Sequence, residues 1–261
     1  MFPNPQDALP LPQRPNLEHY RDFSREILKA CKSGDTDAIR DWANKWVNMV
    51  AQKSGVRFTR ELPVAVSRWV EQVEEFAQRN LVGDNAGCRL GDAQFVIARS
   101  HGFESWARFS KHLNALAEKN SAVARFESAA DAIVDGHLTK LKRLVREDRR
   151  LVRARSTREH SATLLHYVSA NGVEGYRQKT PKNIVAIADV LLKAGAEVDA
   201  EADVYGGGAT TLGLAATDGS LRNTYSHREV VSAPQTSSAN SSESWTLVVL
   251  RFHFNRSLYY Y

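Results

Sequence analysis

Ala188-Asp189-Val190-Leu191-Leu192-Lys193-Ala194-Gly195-Ala196-Glu197-Val198-Asp199-Ala200 is the stretch that decides the fold. It reads as the end of a Leu/Val-rich helix followed by a turn. Gly195 supplies the left-handed residue that stops the helix before the chain turns outward. Ahead of it stand Thr163-Leu164-Leu165-His166 and then Ala170-Asn171-Gly172. Beyond it, Gly208-Ala209-Thr210-Thr211-Leu212-Gly213-Leu214-Ala215-Ala216-Thr217 begins the same pattern again and stops. Upstream, Phe126–Val145 carries it too, with Ala129 and Ala130 before Asp135-Gly136-His137-Leu138, then Leu141, Leu144 and Val145. Three segments thus share a helix–turn–helix plan with a small-residue first helix and an apolar second one. Small residues let neighbouring units approach, and the second helix supplies the core.

These segments resemble the ankyrin repeat, over residues 121–217. The family pattern has Gly-x-Thr-Pro-Leu-His at the first helix. Here Leu164 and Thr211 stand where Pro is usual, His166 is kept, and Gly213 replaces the second His. Asp199 stands where Asn is usual. The resemblance implies an all-α fold, a short ankyrin-repeat solenoid behind an N-terminal helical cap, and a protein that binds another protein. It also implies a bacterial, cytoplasmic setting, because the block Leu90–Leu113 looks like a helical lead-in of bacterial ankyrin-repeat proteins. His166 is expected to hydrogen-bond backbone in its turn. Thr163 and Thr210 lie 47 positions apart, against an ankyrin period of about 33. The surplus falls in 172–182 and 201–207. A single repeat cannot bury its own apolar face, so the units are expected to stack.

Four regions organise the 261 residues. Residues 1–16 hold five of the eight prolines and read as an extended lead-in. Residues 17–120 read as helical. Asn16 is an N-cap ahead of Tyr20, Phe23, Ile27 and Leu28, and Ser33–Asp37 breaks that helix. Ile39, Trp42, Ala43 and Trp46 form a second stripe, and Val66, Trp69, Val70, Val73 and Phe76 a third, on a helix from Leu62 to Leu81. Glu71, Glu74 and Glu75 fall mostly on the far side of that helix. Leu90–Leu113 reads as two short helices, with Asp92 and Ser105 as caps, Phe95, Val96 and Ile97 filling the first, and Gly102 as the stop between them. His101 and His112 read as structural or exposed. The fourth region, 218–261, leaves the pattern. It holds nine serines from Gly219 on, no lysine, and a strand-like end from Trp245 to Phe254. The expectation is a truncation or reading-frame change after Thr217, with a partner-pairing strand as the rival reading.

Composition is ordinary for a globular chain, with 43% hydrophobic and 25% charged residues. No run approaches the roughly 20 apolar residues of a membrane span, and the start shows no signal-peptide pattern. Cys31 and Cys88 lack CxxC or zinc-finger spacing and read as buried reduced thiols in a reducing compartment. The net charge of +5 is local in origin. Lys140, Lys142, Arg143, Arg146, Arg149, Arg150, Arg153, Arg155 and Arg158 face only Glu147 and Asp148, nine positive charges against two negative. Such a segment suits nucleic acid or an anionic surface, although no aromatic lies inside it to stack bases.

No HExxH, GxSxG or Cys-His arrangement is present, and Gly206-Gly207-Gly208 lacks the lysine of a phosphate loop. The glycines read as a loop between repeats. No enzyme activity, cofactor or metal is expected. The candidate partner contacts are Tyr167, Tyr176, Arg177, Lys179, Asp203 and Tyr205, since insertions in solenoids gather on a binding face and Tyr and Arg dominate interface energetics.

Overall fold

The structure, a computed structural model, describes residues 4–35, 37–54, 62–82, 87–169 and 173–216. The off-pattern tail 218–261, Thr217 and Ala170-Asn171-Gly172 lie outside the described residues. The fold is mostly helical, with nine α-helices among the described residues. No described helix is long and apolar enough to cross a membrane. The chain divides into two units. One takes Met1–Ala124 together with Thr157–Glu159 and Glu174–Tyr176; the other takes Arg125–Ser156, His160–Val173 and Arg177–Tyr261.

The first unit holds α1 (Leu17–Ser33), α2 (Ala38–Lys53), α3 (Leu62–Leu81), α4 (Leu90–Ser100) and α5 (Trp106–Ala117). Asn16 caps α1 by accepting the Glu18 N–H at 2.9 Å, and Ser105 caps α5 through the Arg108 N–H at 3.3 Å. Gly34 and Gly102 end α1 and the α4 turn with φ of 72° and 79°. Asp92 acts from inside the first turn of α4, reaching back to the Arg89 N–H at 3.3 Å. The apolar stripes meet in one core that includes Tyr20, Ile27, Trp42, Trp46, Val73, Ile97 and Phe109.

Four expectations for this unit are corrected. The Pro-rich lead-in is not simply extended: Pro5–Asp7 forms a 3₁₀ turn, and Ala8 and Leu9 are buried. Glu74 is buried on α3 because Arg40 of α2 pairs with it at 3.0 Å. Phe95 of α4 lies partly exposed, outside the core. Cys31 and Cys88 are not reduced thiols; they form a disulfide joining the end of α1 to the segment before α4, with Cα atoms 5.9 Å apart.

The second unit contains most of α6 (Ala122–Val134), then α7 (Leu138–Glu147), α8 (Ile184–Lys193) and α9 (Thr211–Ala216). The first helix–turn–helix segment stands as read, on α6 and α7 with Gly136 at φ 75° between them. A Cβ at Gly136 would come within 2.9 Å of both Pro181 and Asn183, so that turn needs glycine for space as well as for φ. In the second segment the first helix is only a 3₁₀ turn, Leu164–Val168, ended at Ser169. Between α8 and α9 stand two strands the sequence reading lacked, β1 (Glu201–Ala202) and β2 (Ala209–Thr210), paired antiparallel. The core gathers Ile133, Leu141, Leu164, Leu165, Ile187, Leu191 and Leu214.

Candidate partner-binding surface

His166 organises the second segment. Its Nδ1 accepts the Thr163 N–H at 3.1 Å and lies 2.9 Å from the Thr163 hydroxyl. With Nδ1 accepting, Nε2 carries the proton and donates to the Ala209 carbonyl at 3.2 Å. The ring is fully buried, and desolvation holds its pKa below the ordinary value. It therefore stays neutral and serves as a backbone brace. The expected structural role is what the geometry provides, and the brace ends on β2, at the base of a hairpin.

That hairpin is held from below and open above. Glu201 pairs with Thr210 and Ala202 with Ala209. Arg155 donates to the Glu201 carbonyl at 2.7 Å and the Ser161 carbonyl at 2.9 Å. The Asp203 N–H donates to the His160 carbonyl at 2.8 Å, and Ala202 and Val204 are buried. Above those anchors the Gly207 N–H closes on the Val204 carbonyl at 3.0 Å. Tyr205 and Gly206 to Gly208 all take positive φ, from 55° to 100°. The left-handed region costs a side chain energy, and Tyr205 takes it while 55% exposed.

The six candidate contacts do not share one setting. Asp203 and Tyr205 are exposed on the hairpin. Lys179 is half-buried in the second unit, with Nζ 3.7 Å from Asp135. Tyr167 is corrected: only 3% exposed, it packs edge-on to Phe126 in the core. Arg177 is corrected as well. It is 8% exposed, donates to Glu127 and Asp131 at 2.7 Å, and lies over the Tyr167 ring at 5.6 Å. Its charge neutralises carboxylates of α6, Glu127 and Asp131. Tyr176 belongs to the first unit, half-buried, its hydroxyl accepting from Arg158 at 3.2 Å.

The basic segment also divides. Arg158 lies in the first unit, 2% exposed, paired with the buried Glu174 at 2.9 Å. It donates to the His101 carbonyl at 2.6 Å and sits 5.1 Å from the Phe103 ring centroid. Sequence reasoning assigned it to a surface, because nothing in a run of arginines marks the one that folds inward. In the second unit Arg150 pairs with Asp148 at 3.0 Å and holds that carboxyl below its usual range by hydrogen bonding. Arg153 donates to the Gly195 carbonyl at 3.1 Å, capping the turn after α8. Arg143 lies 3.9 Å from Glu147. Lys142, Arg146 and Arg149 are exposed and Lys140 is half-exposed.

No group of three or more His, Cys, Asp or Glu side chains gathers at metal-binding distance among the described residues. The hairpin is what sequence reasoning missed. Its signal was a glycine run between Ala202-Asp203-Val204 and Ala209-Thr210-Thr211, a spacing that also suits a short hairpin loop. Compared with protein-family models, with curated proteins and with solved structures, the chain finds no match in any of the three.

Proposed function

We propose that the chain is a non-catalytic protein-binding scaffold of the ankyrin-repeat type, and that it engages its partner through the hairpin tip at Asp203 and Tyr205. One observation carries the reading. A partly exposed tyrosine is held in left-handed backbone above strands braced by His166, Arg155 and His160. Rigid aromatic anchors that cost little ordering entropy are the residues that dominate interfaces. Strained backbone that the surroundings over-determine gathers at binding sites. A bacterial, cytoplasmic setting rests on the family resemblance alone, since the bonded cysteines remove the independent thiol argument for a reducing compartment.

The test uses the full chain as bait beside two variants, Tyr205→Ala with Asp203→Ala, and Lys111→Ala as a control on the exposed side of α5. The hairpin variant is expected to lose a specific protein that wild type and control both retain, with an unchanged melting temperature. Retention of that protein by all three baits contradicts the hairpin as the site.

A further inference from the structure

We propose that the solvent face of α7 and the turn after it form a second docking surface, one that receives an acidic helical segment of a protein. It shares no residue with the hairpin and does not depend on it. The helix buries Leu141, Leu144 and Val145 on one side. At 100° per residue the opposite side carries Lys142, Arg143 and Arg146, all exposed, and Arg149 follows at the start of the next turn. Helix-dipole complementation accounts for Arg146 in the last turn. It does not account for Lys142, which sits mid-helix.

The charge on this face is polarised. Along one edge stand Lys142 and Arg146, for which no acidic partner is found among the described residues. Along the other, Glu147 lies 3.4 Å from Arg125 and 3.9 Å from Arg143, and Asp148 binds Arg150. A duplex carries one negative charge per roughly 1.7 Å of axis, so a phosphate backbone covering this face would be driven against Glu147 and Asp148. An acidic helix distributes its charge differently. Carboxylates four residues apart are about 6 Å apart along the axis, the same rise that separates Lys142 from Arg146. Such a segment meets the basic edge and leaves the mixed edge alone. The lack of any aromatic from Lys140 to Arg158 removes base stacking as a competing source of affinity.

The probes are a labelled synthetic peptide of about 20 residues, with Glu at every fourth position and Ala between, and a duplex DNA of about 20 base pairs. Each is titrated against the full chain at about 150 mM salt. The wild type is expected to bind the peptide saturably and more tightly than the duplex. Lys142→Glu with Arg146→Glu is expected to weaken peptide binding about tenfold or more. The milder Lys142→Gln with Arg146→Gln should weaken it less, in case reversal perturbs the helix, and circular dichroism monitors both. Arg68→Glu with Lys111→Glu, on exposed positions of α3 and α5, should change nothing. Tighter binding of the duplex, or equal peptide affinity in wild type and both α7 variants, overturns the proposal.

Discussion

Glu174 and Gly175 show what a single position decides. Glu174 is fully buried against Arg158, and the attraction between the two charges offsets part of their desolvation cost. Glu174→Gln removes the charge paired with the buried Arg158 guanidinium and is expected to cost about 3–5 kcal/mol in urea denaturation. At Gly175 a Cβ would stand 2.6 Å from the Gln6 carbonyl oxygen. Gly175→Ala is therefore expected to destabilise by about 1–3 kcal/mol, read from the same titration, although the site is exposed. At this scale the sequence was legible where a residue acts on its own neighbours. Asn16, Ser105, Gly102, Gly195 and His166 all do what their local pattern says. It was illegible where the partner is distant: Arg158 answers to Glu174, Arg177 to Glu127 and Glu74 to Arg40, and no spacing rule records those meetings.

The elements were readable where apolar periodicity was long. α3 spans the same Leu62–Leu81 that its stripe predicts, and the pair α4 and α5 fills the block 90–117. The failures are short pieces. The turn Leu164–Val168 carries the residues of a helix start, yet Ser169 takes extended backbone at ψ 135° and ends it. Two-residue strands around a glycine run give too little alternation to register as strands. The disulfide was missed because cysteine spacing along the chain says nothing about Cα separation. It spans 57 positions, and loop-closure entropy for that length corresponds to about 4 kcal/mol of stabilisation. Reduction, or Cys31→Ser with Cys88→Ser, is expected to lower the melting temperature of the first unit's transition. An unchanged transition would mean the helices carry the unit without the bond.

For the whole molecule, buried histidines make stability depend on acid. His101 is fully buried, its Nδ1–H donating to the Leu9 carbonyl at 3.0 Å and its ring stacked on Phe109 at 5.3 Å. Desolvation, above all, lowers its pKa from 6.5 to about 3. Below about pH 6.5 the unfolded chain takes up a proton that the folded ring refuses. Stability should therefore fall as pH drops from 6.5 towards 3, by up to about 1.4 kcal/mol per unit from this residue. His166, also lowered by burial, adds in the same direction. Urea midpoints at pH 7.5 and 5.5 check this, and His101→Gln, which keeps a donor for Leu9, should flatten the dependence.

Protein binding through the Tyr205 hairpin is tested most directly by placing a photo-crosslinking amino acid at position 205 and irradiating the full chain in its source cells. A single discrete protein adduct at 205, absent when the same group replaces the exposed Lys111 and suppressed by excess wild-type chain, is the outcome a hairpin interface requires. The same adducts at both positions, or none at 205 while the folded protein accumulates normally, would contradict it.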